Sequence, residues 1–202
     1  MKPRLFVDQK ITAFVNKYEV FAADADGNKV GLQALAQQKR LAFKEKVTFY
    51  QDEQKSTTVF SFRAEKVLDV HGRYFVEDTD GQLIGMFKKE FGQSLISSTW
   101  KILDASGEEL FTVRESNSTL AVLRRFLGYL PLVGDLAELV LLFFRYHFSF
   151  IDAKSGQEVG KYQKATLLRD HYTLSMTDEA YGTCDWRVLA AMGVALDALQ
   201  SR

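Results

Sequence analysis

The stretch that decides the fold is Cys184–Ser201, which reads CDWRVLAAMGVALDALQS. It predicts a helix, and no residue from Val188 to Leu196 is charged, so apolar side chains cover every side of that helix. A helix that is hydrophobic all round must be buried all round. Because a membrane span takes about 20 mainly apolar residues, this segment is too short to find its surroundings in a bilayer. We therefore expect the rest of the chain to form a closed β-barrel that holds the helix along its axis.

This central helix is predicted over about residues 185–200, and its role is structural. Alanines at positions 191, 195 and 198 form a small apolar face. The large side chains are expected to fill the barrel interior: Trp186, Leu189, Met192, Leu196 and Leu199.

The composition favours one continuous domain over residues 1–202. Hydrophobic residues make up 47% of the chain, which is enough for a sizeable core, and no Ser/Gly-rich linker divides it. Lysine plus arginine and aspartate plus glutamate both number 26, so net charge gives no argument for nucleic acid, and no such partner is predicted. The single cysteine, Cys184, and a first segment without signal-peptide character favour the cytoplasm.

Four segments share one pattern, in which an apolar run meets Asp, then Gly, then a second apolar run. Each is typical of a β-hairpin, because Asp bonds its own backbone in turns and Gly adopts positive φ without steric cost. The segments are Tyr18–Leu32, Tyr74–Phe87, Trp100–Val113 and Phe148–Tyr162. Further strand-like runs lie at 46–52, 57–65, 66–72 and 171–177. The sequence therefore predicts a mainly β fold with a barrel of about twelve strands.

Two parts of the chain interrupt the strand pattern. Residues 34–46 are rich in helix formers, and we expect a short helix there before the next strand. Between Thr119 and Phe144 leucines recur at helical spacing, PLVGD intervenes, and Asp135 with Glu138 resembles a capping box. This pattern predicts an α-hairpin inserted at about 119–144.

The order of these segments resembles a known group of proteins. The stretches that carry the resemblance are QKITAFVNKYEVF (9–21), GRYFVEDTDGQLIGMFKKEF (72–91), STWKILDASGEEL (98–110) and DWRVLAAMGVALDALQ (185–200). They are similar to the LURP-one-related and phospholipid-scramblase-like proteins, relatives of the Tubby carboxy-terminal domain. The resemblance spans nearly the whole chain and implies a barrel of about twelve strands around a hydrophobic carboxy-terminal helix.

The resemblance implies binding rather than catalysis. Tubby-like domains bind phosphoinositides, and scramblases are linked to calcium-dependent movement of lipids. We therefore expect a non-enzymatic module, peripheral at the membrane, that recognises phosphoinositide-like or other anionic lipid headgroups. Two alternatives stay open: a protein-interaction or structural scaffold that self-associates through the helical hairpin, and an enzyme whose site the sequence does not display.

Basic residues are the candidates for lipid contact, because each Lys or Arg near an anionic surface adds about 1 kcal/mol of attraction. Arg124 and Arg125 stand beside large apolar residues in the predicted hairpin, a composition typical of an interfacial helix. Lys88 and Lys89 form a second basic pair. The alternative is that these side chains belong to a solvated exterior, and that the hairpin caps one barrel end or joins two copies of the chain.

No cofactor is predicted, although the sequence leaves calcium open. The scramblase resemblance directs attention to the acidic run before the terminal helix, where Asp178 and Glu179 lie. The alternative there is a solvated loop that leads to the helix. Paired carboxylates also occur in the Asp-x-Asp-Gly turns at 24–27 and 78–81, which ordinary turn chemistry explains.

No catalytic residue is predicted. The histidines at positions 71, 147 and 171 fall in unrelated contexts and form no metal-ligand pair. Cys184 stands at a helix start, where a thiolate is stabilised, but no base is identifiable beside it. We expect its side chain to be small, partly buried and inert.

Overall fold

In the computed structural model the chain closes into a barrel of twelve antiparallel strands. The structure describes residues 1–11, 15–39, 46–65, 72–90, 99–116, 147–165 and 170–200. The strands are β1 (Lys2–Ile11), β2 (Val15–Ala23), β3 (Lys29–Lys39), β4 (Lys46–Tyr50), β5 (Thr58–Ala64), β6 (Arg73–Glu77), β7 (Leu83–Glu90), β8 (Thr99–Leu103), β9 (Glu109–Glu115), β10 (Phe148–Asp152), β11 (Glu158–Lys164) and β12 (Asp170–Met176). Two helices follow them, α1 (Asp178–Thr183) and α2 (Trp186–Gln200). The predicted mainly β barrel with a carboxy-terminal helix is confirmed.

Each strand pairs with its neighbours in sequence, and the barrel closes where β1 pairs with β12. Successive connections therefore alternate between the two ends of the barrel. Five short connections lie at one end, which we call the turn end: 24–28, 51–57, 78–82, 104–108 and 153–157. β12 also finishes there, so α2 starts at the turn end and runs towards the opposite, distal end.

Turn chemistry builds the four predicted hairpins, which are confirmed. Their glycines all have positive φ, between 69° and 92°: Gly27, Gly81, Gly107 and Gly156. The preceding aspartates hold the turns, as Asp78 does when its Oδ1 accepts hydrogen bonds from the amides of Asp80 (2.9 Å) and Gln82 (2.8 Å). The order of strands thus follows from short local signals.

The core lies between the inner face of the barrel and α2. Trp186 packs edge-on against Phe60 of β5, with ring centres 5.7 Å apart. Most of the helix is at most 2% exposed: Val188, Leu189, Ala190, Ala191, Met192, Val194, Ala195 and Leu196. The side chain of Leu199 lies outside the described residues. Leu189, Met192 and Leu196 belong to the buried core, and the partly buried Trp186 packs against it.

The short helix predicted over residues 34–46 is wrong where the structure describes it. Residues 34–39 belong to β3, and Lys46 opens β4. Ala34 and Ala36 are fully buried and pair with Val20 and Tyr18 of β2. Helix propensity is a weak preference, and the strand pairing that closes the barrel overrides it. The predicted hairpin at 119–144 and most of the run at 66–72 lie outside the described residues.

Candidate functional site

Lys88 and Lys89, predicted as one basic pair, lie on opposite sides of the barrel wall, because successive side chains of a strand alternate between its faces. Lys88 lies on the outside, with its side chain 34% exposed and its Nζ 3.8 Å from Glu90. The Nζ of Lys89 lies 5.7 Å from the ring centre of Trp100, an interior residue that is 1% exposed. The two lysines therefore do not form one patch.

Lys88 belongs to a basic row on the outside of β6, β7 and β8. Arg73, Lys88 and Lys101 are direct cross-strand partners. Neighbouring strands lie about 4.8 Å apart, so the three Cα atoms span about 10 Å. Arg114 of β9 pairs with Thr99, which lies two residues from Lys101 along β8, on the side of the distal end. We name Arg73, Lys88, Lys101 and Arg114 the basic face.

Two carboxylates partly neutralise the basic face. The Nζ of Lys101 lies 2.6 Å from Glu109 and 3.2 Å from Glu90. The hydrogen bond with Glu109 is the main reason why the pKa of Lys101 is raised, so this lysine stays charged. Arg73 and Arg114 are exposed and form no ion pair with the residues that the structure describes. The face therefore carries more positive than negative charge.

Aromatic side chains support the basic face from the inside of the same wall. Tyr74 stacks on Phe87, with ring centres 4.9 Å apart, and Phe87 lies 6.2 Å from Trp100. These rings come from β6, β7 and β8, the strands that carry the basic row. Interiors packed in this way are nearly incompressible, so the outer cations stand on a rigid support.

The acidic candidates Asp178 and Glu179 lie at the turn end, away from the basic face. The alternative of a loop at this place is wrong, because both residues open α1, whose cap is the Thr177 hydroxyl accepting from the Ala180 amide at 3.2 Å. Asp178 accepts a hydrogen bond from Arg4, and this contact is the main cause of its lowered pKa. No group of three or more His, Cys, Asp and Glu side chains suited to a metal ion occurs among the described residues.

The family model described as LURP-one-related matches residues 32–197. The chain belongs to the LURP-one-related family. The matched range includes the whole basic face and α2 as far as Asp197. No curated protein matches this LURP-one-related chain.

Other candidate residues of this LURP-one-related barrel are buried, lie on its outer surface or fall outside the described residues. Cys184 is 8% exposed, and burial raises its pKa to about 12, so its thiol stays protonated at neutral pH. His171 lies on the outer surface, with Nδ1 2.8 Å from Oδ1 of Asp8. Arg124 and Arg125 lie outside the described residues. None of the helices within the described ranges has both the length and the apolarity that a membrane crossing demands.

A buried polar cluster near the distal end of α2 was missed by the sequence analysis. Asp197 is 3% exposed and accepts hydrogen bonds from the hydroxyls of Tyr18 (2.9 Å) and Tyr172 (2.5 Å). Burial, aided by the nearby carboxylate, raises the pKa of Tyr18, which therefore remains a donor. The two tyrosines lie 179 and 25 residues from Asp197 in the sequence, so no local sequence pattern connects them with it. The one available signal was an aspartate on a helix that is otherwise apolar.

Proposed function

We propose that the protein is a non-enzymatic binding module that recognises anionic lipid headgroups at a membrane surface through its basic face. The observation that carries the proposal is the cross-strand row of Arg73, Lys88 and Lys101, extended by Arg114. Each cation held near an anionic surface adds about 1 kcal/mol of attraction. A row that spans about 10 Å on a rigid sheet presents these charges to one surface together.

The distribution of charge along the barrel supports one docking orientation. Aspartates open the turns at the turn end, whereas the basic face lies towards the distal end. An anionic membrane repels the first region and attracts the second. Because screening confines such forces to about 8 Å at physiological ionic strength, the part of the barrel nearest the membrane dominates binding.

Co-sedimentation with vesicles tests the proposal. Vesicles of phosphatidylcholine alone are compared with vesicles that also contain phosphatidylserine or a phosphoinositide, at low and physiological salt. We expect binding to the anionic vesicles only, and weaker binding at higher salt, because exposed charges are screened. The absence of binding to every vesicle at low salt would contradict headgroup recognition.

Matched charge reversals at the two ends of the barrel separate the basic face from net charge. Arg73→Glu with Lys88→Glu alters the basic face, and Lys55→Glu with Lys154→Glu makes the same change of charge at exposed turn-end positions. We expect the first variant to lose at least about tenfold in affinity, which corresponds to about 1.4 kcal/mol. Equal losses in both variants would mean that net charge alone drives association.

Two further pairs of substitutions in the same vesicle assay test the other residues that the sequence suggests for lipid or calcium binding. Arg124→Glu with Arg125→Glu tests whether these arginines add to membrane contact, as their interfacial composition predicts. Calcium added to the vesicle assay, with Asp178→Asn and Glu179→Gln as the paired variant, tests a contribution from the acidic run. A calcium effect that persists in this variant would exclude the run as its source.

A further inference from the structure

The outer face of β3 carries a buried leucine that does not belong to the hydrophobic core. Ala34 and Ala36 face the interior and are part of that core, so Leu35 between them lies on the outside of the barrel. An outward-facing side chain of a sheet that borders water is normally exposed. Leu35 is nevertheless only 1% exposed. Another part of the chain therefore covers the outer face of β3 at this position.

The β4–β5 connection, residues 51–57, lies over this position. Leu35 pairs with Tyr50, the last residue of β4. Only three residues after Tyr50, the side chain of Glu53 forms an ion pair with Lys17 of β2. Because β3 lies between β2 and β4, the connection has to fold back across the outside of β3 to make this contact. We name residues 51–57 the strap.

A single ion pair, which we name the latch, joins the strap to β2. It consists of Lys17 and Glu53, whose side chains are 14% and 75% exposed. The hydrogen bond with Glu53 is the main reason why the pKa of Lys17 is raised, and Lys17 also lies 3.3 Å from Glu19. Ion pairs with an exposed partner contribute little stability. The latch therefore holds the strap only weakly.

Two features of the strap oppose its closed position. Lys55 has a φ of 58°, the one positive value among the described residues other than glycine, and side chains disfavour this region. The Oδ1 of Asp52 is buried and accepts no hydrogen bond within the described part of the chain, which is also unfavourable. Both costs disappear when the strap opens, because Lys55 then leaves the left-handed region and water reaches Asp52.

We propose that the strap is a movable cover, closed by the latch, which opens to expose Leu35 while the barrel stays folded. Burial of Leu35 favours the closed state, whereas the backbone of Lys55 and the buried oxygen of Asp52 favour the open one. Every strap residue except Asp52 is exposed, and segments with few buried contacts are those that open locally. The strap covers β3, whereas the basic face lies on β6–β9, so this proposal does not rest on lipid recognition.

Thiol labelling at position 35 measures the opening. In Leu35→Cys, mass spectrometry after maleimide treatment gives the rates of modification at position 35 and at the buried Cys184 of the same molecules. Gln37→Cys, on an exposed position of the same face of β3, gives the rate for an uncovered thiol. We expect position 35 to react at least about tenfold more slowly than position 37 and at least about tenfold faster than Cys184.

Either limit of this rate would overturn the proposal. A rate at position 35 equal to that of Cys184 would mean that the position is reached only when the whole barrel unfolds. A rate equal to that at position 37 would mean that nothing covers the outer face of β3 there.

Charge reversal tests the latch in the Leu35→Cys protein. Glu53→Lys replaces attraction to Lys17 by repulsion, so we expect modification at position 35 to become at least about threefold faster. Glu108→Lys is the matched control, because Glu108 forms an exposed ion pair of 2.9 Å with Lys154 in another turn. It should leave the rate unchanged. Equal acceleration by both reversals, or by neither, would overturn the role of the latch.

Hydrogen exchange tests the strap with Leu35 in place. The probes are the amides of Gln51 and Lys55, which donate to the carbonyl oxygens of Thr57 (2.9 Å) and Asp52 (3.2 Å). We expect faster exchange in Glu53→Lys and slower exchange in Lys55→Asn, because asparagine tolerates positive φ better than lysine. Thermal melting shows whether each variant is folded. Exchange that is equal in both variants and the unmodified protein would contradict an opening controlled by these residues.

Discussion

The two ends of the barrel differ in charge because their charged side chains have different tasks. At the turn end an aspartate opens each of five turns and accepts hydrogen bonds within it: Asp24, Asp52, Asp78, Asp104 and Asp152. Towards the distal end, Arg73 and Arg114 have no ion-pair partner among the described residues. The acidity of one end is thus a consequence of turn building. On the basic face, Lys88 and Lys101 lie beside carboxylates, whereas no described carboxylate forms an ion pair with the two arginines.

The interior also differs between the two ends. Near the turn end α2 is held by close packing, because Gly85 of β7 has no side chain and Val188 fills the space beside it. Near the distal end it is held by hydrogen bonds from Tyr18 and Tyr172 to Asp197. One helix is thus anchored by close packing at its start and by a hydrogen-bonded buried carboxylate near its end.

Moving a carboxylate by one residue along α2 gives the largest expected effect. Asp197 is tolerated because hydroxyl groups donate to it, whereas Leu196 belongs to the hydrophobic core and is 1% exposed. Leu196→Asp buries a charge without partners, which costs several kcal/mol of a total stability of about 5–15 kcal/mol. We expect no cooperative unfolding transition by circular dichroism, with Leu196→Met as the folded control. A soluble, cooperatively melting Leu196→Asp protein would contradict the position of α2.

The distal hydrogen bonds are tested by Tyr172→Phe. Loss of a hydrogen bond to a buried charged group costs about 1.5–3 kcal/mol, which urea denaturation measures. Tyr162→Phe is a matched control, because that hydroxyl donates to the backbone oxygen of Gly193 at 3.3 Å, and we expect a loss of about 0.5–1.5 kcal/mol. Equal losses in the two variants would remove the special role of Asp197.

The packing near the turn end is tested by Gly85→Ala. The added methyl group would lie 2.8 Å from Cγ2 of Val188 and 3.1 Å from the carbonyl oxygen of Leu103. We expect a loss of about 1–3 kcal/mol in the free energy of unfolding. Adding Val188→Ala to the same chain should recover part of that loss, so the two changes together cost less than their sum. If the losses of the two single variants simply add in the double variant, Val188 does not limit how closely β7 approaches α2.

Substitutions that weaken the amino-terminal cap of α2 are expected to reduce the free energy of unfolding least. The Oδ1 of Asp185 accepts from the amide and Nε of Arg187 at 2.9 and 3.0 Å. Asp185→Ala should cost about 1 kcal/mol, and Asp185→Asn, which keeps a capping oxygen, about 0.5 kcal/mol. Both free energies of unfolding are measured by urea denaturation.

The pH dependence of that small effect has a defined sign. Burial alone would raise the pKa of Asp185, but the hydrogen bonds and charge of Arg187 outweigh it, and the pKa lies below the ordinary value of an aspartate. The stabilisation by ionised Asp185 is therefore complete above the pKa that this residue has in the unfolded chain. It is lost as the pH falls through the lower pKa that the residue has in the folded protein. We expect the stability difference between the unmodified protein and Asp185→Asn to shrink from pH 6 to pH 3. A difference that grows in acid would contradict this assignment.

Local signals explain why so much of the fold was predictable. The uncharged run from Val188 to Leu196 requires a complete apolar enclosure, and Asp-Gly turns mark hairpins within a few residues. Side chains alternate between the two faces of a strand, so the sequence of β7 also implied that Lys88 and Lys89 lie on opposite faces. The prediction that they form one basic pair did not take this alternation into account. Where a signal lay within one element, the sequence was sufficient.

The remaining features depend on residues brought together by the closed barrel. Ala34 and Ala36 favour a helix by themselves, and only pairing with β2 makes them part of a strand. The partners of Asp197 come from β2 and β12, at opposite ends of the chain. The basic face likewise takes its four cations from four different strands, so it became visible only with the strand register.

Docking through the basic face is tested most directly by an environment-sensitive fluorophore at each of two positions. Thr99→Cys lies on that face between Glu90 and Arg114, and Gln157→Cys lies in an exposed turn at the opposite end. Because Cys184 is buried, the added thiol is labelled selectively. On binding to phosphatidylserine-containing vesicles, we predict a blue shift for the label at position 99 and none at position 157. A blue shift only at position 157, or at neither position while the protein sediments with the vesicles, would contradict membrane recognition by the basic face.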